Sequence, residues 1–333
     1  MPALTRRRFL SLNIGDRRSP VGDHWIRVHR VVMACRFEIT LSQEDAADVT
    51  GARAALDEAD DIEAVLTVFR DTSDVADLNR RAGGEDVVVS PALFALLTRS
   101  AELNAATEGA FDVTSTPLSR CWGFLTREGR VPNDDEIEAA RARAGMRHVR
   151  LDAVTRGVRF DRPGVEVNFG AIGKGYALDR MAAILRRQSV RRALLSAGRS
   201  SVLALGGRGR GWPIDVRPTL ASRVAARLWL RHGAVGTSGA GEQFIECDGR
   251  RYGHVIDPRS GRPAEGVLGA TVVTSTAADA DALSTAFLIG GAALARRYCD
   301  AHPGTVAILV LGDRPETPVT IGHYQDAMLE VLP

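Results

Sequence analysis

From Trp25 to Leu41 apolar and polar residues alternate in parts, and β-branched side chains are frequent, which predicts strand structure. Over residues 45–69 the period changes. Ala54, Leu56, Ala59, Ile62, Val65, Leu66 and Phe69 fall at helical spacing and predict an amphipathic helix. A second helix is predicted from Pro91 through Thr107, with Ser90 as N-cap, Pro91 at the first helical position and Gly109 as a stop. Residues 111–124 read as irregular, and residues 134–145 as a short helix capped by Asn133 or Asp134. Strands are predicted over 148–161 and over 165–169, with a turn at 162–164 between them.

The second half opens with a glycine turn feeding a helix over 170–188. Strands follow over 191–198, 201–207 and 212–218, and a Gly-rich stretch of strands and loop over 232–266. A buried strand is predicted over 268–275, a helix over 277–297 and a last strand over 305–312. Strands and helices come in runs rather than in strict alternation. That pattern predicts an α+β fold with antiparallel or mixed sheets and packed helices, and argues against a Rossmann fold. Residues 1–24 are expected to form a weakly ordered arm, and residues 25–333 a single domain. No internal repeat is visible.

Composition narrows the function classes. The net charge is 43 − 41 = +2, so a strongly charged polymer-binding surface is not expected and nucleic acid is not the default partner. The four cysteines form no CxxC pair, which argues against a zinc cluster or a disulfide framework. No run of about 18 apolar residues predicts a transmembrane segment. Thr5-Arg6-Arg7-Arg8-Phe9-Leu10 resembles the start of a twin-arginine export signal, but the following residues are polar and charged where an apolar stretch is needed. A cytoplasmic location is therefore expected, with export as the other reading. Of the 43 basic residues only one, Lys174, is lysine. A chain that otherwise uses arginine throughout has kept a compact ammonium at one place.

Lys174 sits in Gly170-Ala171-Ile172-Gly173-Lys174-Gly175, a strand-to-helix turn whose backbone amides suit an anion such as phosphate. The turn is not a P-loop, because Asn168 and Gly175 stand where that motif needs Gly and Ser or Thr. Asp281 and Thr285 lie one helical turn apart, so a carboxylate and a hydroxyl share a face and could hold Mg²⁺. Spacing alone favours a plainer role, with Asp279 and Asp281 complementing the helix dipole. His254 and Asp257 fall in a turn series at the end of a predicted strand, where a ligand-facing loop is plausible. Gly109-Ala110-Phe111-Asp112, with Trp122-Gly123-Phe124, could wall a flat ring or pack under a loop.

Taken in order, these segments resemble the ApbE family of FAD:protein FMN transferases. Met33-Ala34-Cys35 sits where the family has Met-Gly-Thr, and Val65–Phe69 with Asp71–Asn79 is similar to its next segment. Ala110-Phe111-Asp112, Pro117-Leu118 and Trp122-Gly123-Phe124 match its AFD, PL and WGF elements. Asn168 to Asp179, His254-Val255-Ile256-Asp257-Pro258 and Asp281-Ala282-Leu283-Ser284-Thr285 match its three later motifs.

The resemblance implies an α+β fold related to the T-fold with the active site in a cleft. It implies transfer of the FMN half of FAD to a Thr or Ser hydroxyl of an acceptor flavoprotein, with Mg²⁺ as cofactor and AMP released. Carried over, Ala171, Asp281 and Thr285 would hold the metal. Lys174, His254 and Asp257 would act on the diphosphate and the attacking hydroxyl. Met33, Phe69, Ala110, Phe111, Asp112, Lys174, His254 and Ile256 would line the FAD site. Three places depart from the family pattern. Ser196-Ala197-Gly198-Arg199-Ser200 lacks its acidic residue, Gly241 replaces an aromatic, and Ala34-Cys35 replaces Gly-Thr. The alternative reading is an FAD-binding or FAD-hydrolysing homologue that does not flavinylate a protein.

Overall fold

The computed structural model describes residues 13–14, 25–42, 49–126, 128–207, 209–216, 226–240 and 243–331. The arm expected over 1–24 falls, apart from Asn13–Ile14, outside the described residues. The chain divides into two compact units.

The larger unit is built on an eight-stranded sheet. Its strands in chain order are β1 (Trp25–Val32), β2 (Cys35–Ser42), β3 (Ala193–Ala197), β4 (Ser201–Leu205), β5 (Gly233–Gly239), β6 (Val267–Thr274), β7 (Val306–Leu311) and β8 (Arg314–Gly322). Each pairs antiparallel with its neighbour in that same order, a meander interrupted by insertions. The antiparallel sheet with packed helices bears out the α+β expectation. A four-stranded sheet holds Asn13–Ile14, Trp212–Val216, Ala226–Leu230 and Ala327–Val331. Leu194, Val202, Val235 and Ile308 of the large sheet share a buried core with Trp212, Ile214, Leu228 and Leu230 of the smaller one. The pleat sends successive side chains to opposite faces. Val235 therefore enters this core, whereas Gly236 faces the helix side, under the backbone of Ala280.

That helix side carries α6 (Gly173–Arg187) and α7 (Ala277–Ala301). Among the described helices α7 is long and apolar enough to cross a membrane, but 61% of its most apolar window is buried within the protein. It behaves as a core helix and bends at Gly291, which has a non-helical φ of 66°.

The smaller unit holds α2 (Asp74–Arg81), α3 (Pro91–Ala106), α4 (Thr116–Cys121) and α5 (Asp134–Arg141), with a three-stranded sheet of Val87–Val88, Gly157–Phe160 and Val149–Asp152. Ser90 caps α3 as predicted, accepting from the Leu93 amide, with Pro91 in the first turn. Asn133, not Asp134, caps α5, because Glu136 returns its side chain to the Asn133 amide and completes a capping box. Leu118, Trp122, Phe124, Ile137, Ile245 and Ile256 form this unit's own buried cluster.

Three expectations are corrected, and one further helix is found. The helix predicted over 45–69 is α1 (Val49–Leu66), and Phe69 lies beyond it, 76% exposed. The segment read as irregular contains α4, and α2 is a helix that periodicity did not reveal, held by the Ser73 cap. Residues 165–169 are not a strand. Their partner is a side chain: the Asn79 amide donates to the Val167 carbonyl at 3.0 Å, and its oxygen accepts from the Val167 amide at 2.8 Å. These bonds stand in for a sheet ladder.

The β1–β2 hairpin turns on two residues, Met33 (φ 50°) and Ala34 (φ 56°), both left-handed. Such turns normally use Asn-Gly, because a left-handed L-residue costs about 1–2 kcal/mol. Ala34→Gly is expected to raise stability by about 0.5–1 kcal/mol after the entropy of the added glycine is subtracted. Urea denaturation checks this, and a lower midpoint for the variant would refute it.

Candidate active site

In the larger unit the glycine turn delivers Lys174 into the first turn of α6, and a run of alanines around Asp281 opens α7. The two helix starts meet closely. A Cβ on Gly175 would lie 2.0 Å from the Ala277 carbonyl oxygen, which explains why glycine follows the lysine.

Asp281 is 6% exposed. Its Oδ2 accepts from the Gly175 amide at 2.7 Å and its Oδ1 from the Ser201 hydroxyl at 2.6 Å. Lys174 donates through Nζ to Ser200 Oγ, and Ser200 and Ser201 hydroxyls stand 3.4 Å apart. A polar chain thus runs from the ammonium to the carboxylate. Burial pushes the Asp281 carboxyl up to about 6, against the Lys174 charge and the bonds from Ser201 and Gly175. The Thr285 hydroxyl sits 3.1 Å from Ser238 Oγ and 3.4 Å from the Asp281 carbonyl. Asp179, on α6, accepts from the Ala277 and Ala278 amides at 2.8 and 2.9 Å. Burial pushes this carboxyl also to about 6, with Asp279 and Asp281 adding to the rise. Cys35 is near enough to feel both Lys174 and Asp281, and burial raises its thiol pKa.

The amide cradle expected at the start of α6 is thus partly filled from within the protein, since Gly175 gives its N–H to Asp281. The donors around Asp281 and Thr285 are hard oxygens, and among the described residues no three His, Cys, Asp or Glu side chains cluster as a metal cage. A buried carboxylate with two lone-pair sites used, beside a hydroxyl, fits Mg²⁺, which keeps waters and shares substrate phosphates.

In the smaller unit His254 follows the strand Arg250–Gly253, and its Nδ1 donates to the Gln243 carbonyl at 3.2 Å. Asp257 is engaged by Arg259, whose Nε and Nη2 each reach a different carboxylate oxygen at 2.9 Å. A carboxylate in such a fork orients its partner. The Arg259 stem in turn passes Gly109, bringing the 257–261 turn beside the Ala110–Asp112 segment. Ala110 and Phe111 are each 1% exposed, so their side chains belong to the core. Asp112 accepts from Thr114 twice, at 2.8 and 2.6 Å, and from the Met146 amide at 3.2 Å. Ile256 is buried in the core cluster.

The structure therefore gathers Lys174, Asp281 and Thr285 in one unit, and Ala110–Asp112, His254, Ile256 and Asp257 in the other. Met33 belongs to the larger unit, Phe69 and Ala171 to the smaller. Gly241, the position of the missing aromatic, lies outside the described residues. Sequence reasoning gave no role to Ser200, Ser201, Ser238, Asp179 or Arg259. Only Arg259 had a local signal, its two-residue spacing from Asp257 in a turn.

A sequence profile described as the ApbE family matches residues 33–310. A protein of Klebsiella pneumoniae named FAD:protein FMN transferase is 36% identical over 216 residues, covering 64% of this chain and 67% of that protein. A protein of the same name from Treponema pallidum is 33% identical over 306 residues, covering 84% of this chain and 82% of its own. The crystal structure of the ApbE protein of Thermotoga maritima superposes with a TM-score of 0.81 at 30% identity, covering 90% of this chain and 97% of that one. The chain belongs to the ApbE family.

Proposed function

We propose that the protein is an Mg²⁺-dependent FAD:protein FMN transferase that moves the FMN half of FAD to a Thr or Ser hydroxyl of an acceptor flavoprotein and releases AMP. The observation that carries the reading is Asp281, a buried carboxylate with Thr285 one turn on and Lys174 linked to it through Ser200 and Ser201. Asp281, Thr285 and the carbonyl of Ala171 would hold the ion. Bound Mg²⁺ supplies charge neutralisation on the pyrophosphate oxygens and makes phosphorus more electrophilic.

The residues do the rest. Lys174 places a point charge on the pyrophosphate, its stem fixed by the glycine turn. His254, held at Nδ1 by the Gln243 carbonyl, takes the acceptor's hydroxyl proton. The hydroxyl oxygen bonds to the FMN-side phosphorus, the bridging P–O bond breaks, and AMP leaves with the electron pair. Asp257 orients Arg259 beside the Ala110–Asp112 backbone, which with Phe69 and Ile256 of the same unit would line the FAD site.

The test is incubation with FAD, Mg²⁺ and a candidate flavoprotein, followed by in-gel fluorescence under denaturing conditions and measurement of AMP. Covalent fluorescence with one AMP per label is expected. AMP and FMN released together without label would make the protein a hydrolase. FAD left intact with every acceptor tried would leave only a binding protein.

Lys174→Arg is expected to impair transfer despite its preserved charge. A guanidinium is broader and bonds in a fixed plane, and losing an ionic hydrogen bond to phosphate costs about 1.5–3 kcal/mol, tenfold or more in kcat/KM. Unchanged kinetics would remove Lys174 from the site.

A further inference from the structure

Asp179 carries a half-buried carboxylate that the reaction above does not use. It lies on α6, and its two oxygens take the first two amides of α7, those of Ala277 and Ala278. Those amides are among the four donors that every helix start leaves without an internal partner. The exchange is mutual. Asp281, four residues after Ala277, returns its carboxylate to the amide of Gly175, four residues before Asp179. Two helical turns thus face each other, each giving a carboxylate and receiving N–H bonds, across a gap that admits no Cβ at Gly175.

Simple capping does not require this. Thr276 already caps α7, accepting from the Asp279 amide at 3.3 Å. A second cap made from a largely desolvated carboxylate, with Asp279 and Asp281 nearby to repel it, is an expensive way to satisfy two amides. What it adds is geometry. A bidentate contact fixes both the slide and the rotation of α7 against α6, whereas one hydroxyl fixes neither. The slide and rotation of α7 decide where the oxygens of Asp281 and Thr285 stand relative to Lys174.

We infer that Asp179 is a positioning residue, which through the first turn of α7 sets the Asp281–Thr285 oxygen pair against Lys174 for the metal and the pyrophosphate. The inference rests on the reading of Asp281 and Thr285 as metal donors.

The experiment compares the full chain with Asp179→Asn, Thr276→Ala and Asp281→Asn. Mn²⁺ is titrated in the presence of FAD and the free ion is followed by electron paramagnetic resonance, with a thermal melt and the kcat and KM of transfer for each variant. An amide at position 179 offers only one acceptor to two donors. Asp179→Asn is expected to weaken Mn²⁺ about tenfold or more, the usual penalty for losing a group that orients a ligand. It should lower kcat with little change in KM for FAD. Thr276→Ala removes the ordinary cap and should lower the melting temperature while leaving Mn²⁺ affinity as in the unaltered protein. Unaltered Mn²⁺ affinity in Asp179→Asn, with affinity lost in Asp281→Asn, overturns the positioning role alone. Affinity kept in Asp281→Asn overturns the metal reading on which it rests. If Asp179→Asn does not fold, hydrogen exchange of the unaltered protein decides. Mg²⁺ with FAD should slow exchange at Ala277 and Ala278 at least about tenfold if their bonds to Asp179 tighten with the site, and unchanged exchange overturns the inference.

Discussion

Asp281→Asn is expected to stabilise the metal-free protein above pH 6 and to abolish Mg²⁺-dependent transfer. The carboxyl is pushed from 3.8 to about 6, chiefly by burial. A carboxylate whose folded pKa is raised contributes its stability fully below its unfolded pKa and loses it as pH climbs through the folded value. A rise of about two units corresponds to about 3 kcal/mol lost by pH 7–8. Asparagine has the same shape, can accept from Gly175 and donate to Ser201, and carries no charge to desolvate. The advantage of Asp281→Asn over the unaltered protein should therefore grow from pH 4 to pH 7 and then level off. Taking the difference between the two proteins cancels titrating groups remote from Asp281, while Asp179, whose rise owes part to the Asp281 charge, is relieved in the variant and adds to its advantage. Activity should move the other way. Removing the one carboxylate assigned to the metal forfeits several kcal/mol of transition-state stabilisation, a loss of about a thousandfold or more. Denaturation midpoints at pH 4.5 and 7.5, with the transfer assay, check both halves. A variant that melts lower at pH 7.5, or keeps its turnover, contradicts the assignment.

Gly175→Ala should be the most damaging single methyl group in this part of the chain. The added Cβ would meet the Ala277 carbonyl oxygen at 2.0 Å, its carbon at 2.3 Å and the Ala278 nitrogen at 2.7 Å. All three are backbone atoms in a turn pinned by Asp179, so no side chain can swing aside. Overpacking costs about 1–3 kcal/mol where neighbours yield, and a backbone collision belongs at or above the upper end. Separating the helices would also break the Gly175–Asp281 bond, so transfer should fall with stability. Gly170→Ala is the control. Its nearest neighbour is a side-chain oxygen of Asn168 at 3.2 Å, and the expected change is under about 1 kcal/mol. Equal urea midpoints for the two variants would show that α6 and α7 do not approach as described.

Local chemistry was legible wherever a segment's own residues decide its state. Ser90 and Pro91 announce α3, and Asp281 and Thr285 share a helix face by spacing alone. The antiparallel sheet followed from runs of strands, and the lone Lys174 singled out the glycine turn. Even Asn133 against Asp134 was a choice within one turn, settled by the reply from Glu136.

Tertiary structure decided what depends on partners distant in the chain. Val165 to Phe169 has the composition of a strand, yet Asn79, 88 residues away from Val167, takes the bonds a neighbouring strand would have made. Phe111 could wall a flat ring or pack under a loop, the sequence favours packing, and burial makes it core. Ser201 carries no signal of its own; it matters because the sheet sets it 2.6 Å from a carboxylate 80 residues later. By itself the sequence determined most of the elements, though not α2, α4 or the state of residues 165–169, together with the fold class and the helix face bearing Asp281 and Thr285, because period and capping act within a few residues. Only the tertiary structure decided which groups are buried, which carboxylates are committed and how closely α6 approaches α7, because desolvation and close packing arise from neighbours the local sequence does not contain.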